Sequence, residues 1–148
     1  MKMLNKNGLS LLEAIASVVI VSFVMISAFT ILVNIRHQTL ATQEEVQAIE
    51  AGERIRDNIY NNVTYNDLLV WTTGGTKTIT KDNCVASAPP FACSIIVIDI
   101  LGTEFDKPYT ITFYQPTASD IEYQVIHYSV EITYYANRTL ELTGIVYE

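Results

Sequence analysis

At 148 residues with a formal net charge of −7, the chain has the length of one domain and an acidic balance that repels phosphate backbones. From Asn34 onward, 7 Lys and Arg stand against 15 Asp and Glu, a formal charge of −8; direct nucleic-acid binding would need a local basic patch, and Lys77 with Lys81 is the nearest thing to one. Glycine-rich phosphate loops, H-E-x-x-H and D-x-D-x-D-G patterns are absent, and neither His37 nor His127 accompanies a nucleophile motif, so the sequence predicts no enzyme and no cofactor.

The first element organises the chain. After Lys2, Lys6 and Gly8 come Leu9-Ser10-Leu11-Leu12-Glu13, and then the 22 residues from Ala14 to Ile35 carry no charge. As a helix that run is about 33 Å long, enough to cross a hydrocarbon core of roughly 30 Å. Glu13 is out of keeping with it, because a carboxyl group buried in lipid costs about 2.5 to 3.5 kcal/mol even on insertion scales. Such a group needs a partner. A cut after Gly8 would place a new α-amine on Leu9, one helical turn before Glu13 on the same face. The carboxylate would then relieve both the amine and the positive end of the helix dipole. The same Glu13 could equally neutralise the Leu9 amine of a neighbouring copy. A secretory signal peptide fits poorly: the run is too long and ends in Asn34-Ile35-Arg36 without a small-residue cleavage site. Lys2 and Lys6 against Arg36 slightly favour an N-terminus in the cytoplasm and the acidic remainder outside it.

These residues resemble the leader and first helix of type IV pilins and type II secretion pseudopilins. In that family a short basic leader ends in glycine, an apolar residue follows, and glutamate is the fifth mature residue; Gly8, Leu9 and Glu13 match in order and spacing. The family most often has phenylalanine where this chain has Leu9, which places the likeness with minor subunits. The resemblance implies cleavage between Gly8 and Leu9 by a prepilin peptidase, N-methylation of Leu9, and docking through Glu13 onto other pilin or pseudopilin subunits at an inner-membrane assembly platform. It implies three segments: a leader over 1–8, a transmembrane and assembly half over 9–35, and an extracytoplasmic pilin-like domain over 36–148. Pili for adhesion or twitching, secretion pseudopili and DNA-uptake pili all use such subunits. An ordinary signal anchor fits the length of the apolar run as well. The alternative is therefore a membrane-anchored extracytoplasmic module that binds a ligand or a partner.

Past the apolar run the helix is expected to continue to about Tyr60. Asn34 to Asn61 lacks proline, Ile35, Val46, Ile49, Ile55 and Ile59 recur near helical spacing, and Gln43, Glu44, Glu45, Gln47, Glu50 and Glu53 mark a wet face. Gly52 is expected to mark a bend and Asn61-Asn62 a stop. The second half of the chain is rich in Val, Ile, Thr, Tyr and Phe. Strands are expected over Leu68 to Thr72, Thr76 to Thr80, Ser94 to Leu101, Tyr109 to Tyr114, Ile121 to Tyr135 and Thr139 to Tyr147, with Gly74-Gly75 as a hairpin turn between the first two. Together these give an α+β fold: a long N-terminal helix, transmembrane in its first half and amphipathic in its second, packed against a C-terminal antiparallel sheet.

Cys84 and Cys93 are too far apart for a redox C-x-x-C motif and lack the histidines of a zinc site. Outside the cytoplasm they are expected to pair and staple a surface loop; the loop could also serve as a contact surface stiffened for a partner. Trp71 and the tyrosines are read as packing residues.

Overall fold

The computed structural model of the chain describes residues 11–100 and 102–148. Gly8 and Leu9, with the leader expected over 1–8, lie outside the described residues, as does Leu101 at the end of one expected strand. The chain divides into two compact units, Met1–Leu40 and Ala41–Glu148. Helix α1, Leu11–Asn62, runs through the division and stops at the asparagine pair the sequence marks.

The second unit is α+β, as expected. After α1 come α2 (Tyr65–Thr72), strand β1 (Lys77–Thr80), the single turn α3 (Cys84–Ser87), the two-residue strands β2 (Asp99–Ile100) and β3 (Thr103–Glu104), β4 (Tyr109–Phe113), the short helix α4 (Ala118–Glu122), β5 (Val125–Tyr134) and β6 (Arg138–Tyr147). The main sheet has the order β1-β4-β5-β6, antiparallel throughout, and β2 and β3 form a separate ribbon.

Alternation along each strand and register across strands combine into apolar rows on the covered face. Ile79, Ile111, Val130 and Leu142 form one row across all four strands. Phe113, Tyr128 and Gly144 lie in the next. The C-terminal part of α1 covers this face with Ala48, Ala51, Gly52, Ile55 and Ile59, spaced by three and four residues and all buried. Small residues let helix and sheet approach closely. A Cβ at Gly52 would sit 2.2 Å from Leu142 Cδ1 and 3.3 Å from Ile132 Cδ1. Gly52 thus serves this close approach inside an unbroken helix, where the sequence suggested a bend. Val46 and Ile49, expected on the same covered face, instead point away from it, 57% and 40% exposed.

Gly144 makes a second close approach, and a less forgiving one. A Cβ there would lie 2.4 Å from Cζ and Oη of Tyr128, whose ring is 1% exposed and packs on Phe113 at 5.6 Å between centroids. Leu142 can swing a methyl group aside for a side chain at Gly52; a buried ring cannot. Gly144→Ala is therefore expected to cost about 1–3 kcal/mol as overpacking, and Gly52→Ala less. The midpoints of urea unfolding would rank the two, and the reverse order would contradict this packing.

Three expected strands take other forms. Leu68 to Thr72 belongs to α2, because Thr64 caps it: Thr64 Oγ1 accepts from Asp67 N at 3.3 Å. Tyr65, Leu68 and Thr72, spaced by three and four residues, are its buried residues. Gly74-Gly75 therefore joins a helix to β1 rather than closing a hairpin, with Gly75 at φ 124°. The start of the expected strand at Ile121 is α4, closed by a capping box in which Asp120 N donates to Thr117 Oγ1 at 3.3 Å and Thr117 N donates to Asp120 Oδ2 at 2.8 Å. The strand expected from Ile121 therefore starts only at Val125, and Tyr123 is 73% exposed.

The stretch from Ser94 is the third. Ile96, Ile98 and Ile100 alternate into the core like strand residues. Only Asp99–Ile100 joins a ladder, however. Elsewhere Asn58 Nδ2 donates to Ile95 O at 2.7 Å, Tyr109 OH to Ile96 O at 2.6 Å and Phe105 N to Ile98 O at 2.8 Å. These donors satisfy carbonyls that a neighbouring strand would otherwise have to meet.

Cys84 and Cys93 form a disulfide. Their loop is tied to the core by rings as well as by sulfur: Phe91 lies 6.3 Å from Trp71 and 5.9 Å from Phe113, and Trp71 Nε1 donates to Ser87 O at 3.3 Å. Trp71 is partly buried and packs against the core, as the sequence suggested.

Burial also holds two phenols in their neutral form. Tyr109 and Tyr128 are each pushed up to about 12, chiefly by desolvation. An unfolded tyrosine ionises near pH 10. The folded state therefore keeps protons that the unfolded chain loses between about pH 10 and 12. The resulting stabilisation is fully present below pH 10 and disappears as pH rises through 12. Ultraviolet absorbance titration is expected to show these two phenols lagging behind exposed tyrosines until about pH 12 or unfolding. Simultaneous ionisation of all nine tyrosines near pH 10 in the folded chain would contradict their burial.

Candidate functional site

The first unit presents a different surface. Every residue of α1 from Leu11 to Leu40 is exposed, including Leu11, Phe23, Met25 and Phe29. Its most apolar window has a mean hydropathy of 2.6, and none of that window is buried. Among the described residues, one helix, near the N-terminus, is long and apolar enough to cross a membrane. About 25 cal/mol per Å² favours removing such a surface from water.

The helix is also prepared for apolar surroundings at its few polar positions. Ser17 donates to Ala14 O at 2.8 Å, Ser22 to Val18 O at 2.8 Å, Ser27 to Phe23 O at 2.9 Å and Thr30 to Ile26 O at 2.9 Å. Each hydroxyl is thus satisfied within its own helix, as a medium without water requires.

Glu13 lies in the first described turn of this helix, ahead of the charge-free run. Glu13 is the one expected assembly residue among the described positions; Gly8 and Leu9 fall outside them. Cys84 and Cys93 belong to the second unit and are joined in the disulfide. Among the described residues, no group of three or more His, Cys, Asp and Glu could hold a metal ion.

The remaining polar features of the second unit read as surface structure. His127 Nε2 lies 3.4 Å from Asp120 Oδ1. The Asp120 carboxyl is held below its usual range, first by the Thr117 backbone N–H and hydroxyl of the capping box, with His127 a lesser cause. A notch of about 370 Å³ opens beside Gly144, between Tyr60 and Tyr147, whose hydroxyls are 3.0 Å apart. Local pattern does not announce it, because it depends on Gly144 meeting Tyr128 across the β5–β6 register.

Comparison with models of protein families, with curated proteins and with solved structures yields no match.

Proposed function

We propose that this chain is a structural subunit, a minor one, of a type IV pilus or pseudopilus. The observation that carries the proposal is a carboxylate, Glu13, in the first described turn of a helix whose residues 11–40 are all exposed, five positions after the Gly8-Leu9 junction. A plain membrane anchor has no need of that carboxylate. An assembling helix does.

In this account a prepilin peptidase cuts after Gly8 on the cytoplasmic side and the Leu9 amine is methylated. The mature subunit waits in the membrane through the first half of α1, with the sheet unit outside the cytoplasm. An inner-membrane assembly platform then draws it out of lipid, and its apolar helix joins those of other pilin or pseudopilin subunits in a filament core. Glu13 guides docking by attraction to the Leu9 amine of a neighbour. Low dielectric strengthens that attraction, and desolvation offsets part of it. The role is one of assembly and not catalysis, with no direct contact to nucleic acid.

Fractionation of native cells tests the proposal. The chain is expected in filaments sheared from the surface as well as in the membrane pool. Confinement to the membrane fraction, while other filament subunits are sheared away, would favour the anchored binding module.

A further inference from the structure

Two tyrosines far apart in the chain meet at the notch beside Gly144. Tyr60 stands near the end of α1 and Tyr147 ends β6, 87 residues later, yet their hydroxyls are 3.0 Å apart and their ring centroids 6.0 Å, tilted by 55°. Neither position is loose. Ile55 and Ile59 bury this part of α1 in the core, and β6 is laddered to β5 along its whole length, with Tyr147 opposite Val125. The rings themselves are 57% and 52% exposed, and the notch of about 370 Å³ that both line leaves them room to turn.

A fixed backbone under two exposed phenols in contact is what phenol coupling requires. Loss of one electron and one proton from a phenol leaves a radical shared between its oxygen and the two Cε atoms of the ring. In solution two such radicals must find one another before they are quenched. Here the second phenol is already in place, so a small rotation replaces the encounter. Each Cε is two bonds from its hydroxyl oxygen, and one from each ring therefore borders the contact. Both cysteines of the chain are in the disulfide, so no thiol is left to reduce a phenoxyl radical first. Such a disulfide belongs to an oxidising compartment. Tyr109 and Tyr128, buried and packed on Phe105 and Phe113, are withheld from an oxidant in solution.

We infer that Tyr60 and Tyr147 are a site of oxidative modification, at which a peroxidase-class one-electron oxidant joins the two rings by a Cε–Cε bond. Each phenol gives up one electron and one proton. The two radicals pair to form the new bond, and the hydrogen on each bonded Cε then moves to its oxygen, restoring both phenols. The net loss of two hydrogens is balanced by reduction of one hydrogen peroxide to two waters. The product ties the end of α1 to the end of β6 and closes the chain between them into a covalent loop, which stabilises by constraining the unfolded chain as a disulfide does. This site is independent of the pilus reading.

The test treats the dilute, detergent-solubilised full chain with hydrogen peroxide and a haem peroxidase, followed by digestion and mass spectrometry. A linked pair of peptides containing Tyr60 and Tyr147 is expected, from a monomeric chain lighter by two hydrogens, and the linked chain is expected to unfold at a higher urea concentration than the untreated one. Tyr60→Phe and Tyr147→Phe keep the rings and lose the hydroxyls. Each is expected to unfold close to wild type and to give at least tenfold less intrachain product. A monomeric oxidised chain without the linked peptides, products dominated by bonds between copies, intrachain product undiminished in both variants, or a linked chain no more resistant to urea would each overturn the inference.

Discussion

Glu13→Ala is expected to be processed and inserted like wild type and to enter filaments at least tenfold less. Insertion is not expected to suffer, since removing the carboxyl group relieves a cost of at most about 2.5 to 3.5 kcal/mol in lipid. A defect confined to assembly would then belong to docking. Two unit charges 4 Å apart attract by about 4 kcal/mol at an effective dielectric of 20, and desolvation removes part of that. A net loss of about 1.4 kcal/mol already corresponds to tenfold. Glu13→Gln, which keeps the shape and loses the charge, is expected to behave like Glu13→Ala. The measurement is the ratio of filament-bound to total chain on quantitative immunoblots. A glutamine variant that assembles normally would assign Glu13 a role in shape rather than charge, and normal assembly of both would remove it from docking.

Phe113→Ala is expected to be the most damaging single change in the sheet unit. Phe113 is fully buried on β4 and touches three rings, with centroids 5.7 Å from Trp71, 5.9 Å from Phe91 and 5.6 Å from Tyr128. Its removal takes away the side chain that joins α2, the disulfide loop and the central strands. Truncating a buried phenylalanine costs about 3–5 kcal/mol, a large share of the 5–15 kcal/mol available to a domain. The single tryptophan of the chain reports directly, because Trp71 lies in this cluster. Urea unfolding followed by its fluorescence should show a strongly lowered midpoint, with Phe113→Leu falling between the two. An unchanged midpoint for Phe113→Ala would mean that the ring cluster does not hold these elements together.

Much of the architecture could be read from local pattern, and the failures have identifiable causes. The long helix was legible because a charge-free run passes into a stretch without proline. β1, β4, β5 and β6 were legible because their sequences are rich in Val, Ile, Thr, Tyr and Phe. α2 and α4 are hidden because their composition, rich in Val, Ile, Leu and Tyr, suits a strand while their caps set a helix. Thr64-x-x-Asp67 and Thr117-x-x-Asp120 were in the sequence and would have corrected both. The stretch through Ile96, Ile98 and Ile100 has the period of a strand, but donors from Asn58 and Tyr109 take the place of a full ladder. Local pattern does not show partners that distant.

Helix α1 shows a further limit. Val46 and Ile49 fall near the helical spacing of Ile55 and Ile59, whereas the sheet packs on Ala48, Ala51 and Gly52, which allow closer approach. For the candidate site, the place of Glu13 at the head of an apolar helix follows from the sequence alone. The proposed cut between Gly8 and Leu9 is a covalent event, and only the chemistry of the native chain reveals it.

The mass of the chain isolated from its native cell therefore tests the central claim most directly. The account predicts a species lacking residues 1 to 8, beginning at Leu9 and carrying one added methyl group. A chain that still begins at Met1 would contradict it and leave a tethered extracytoplasmic domain.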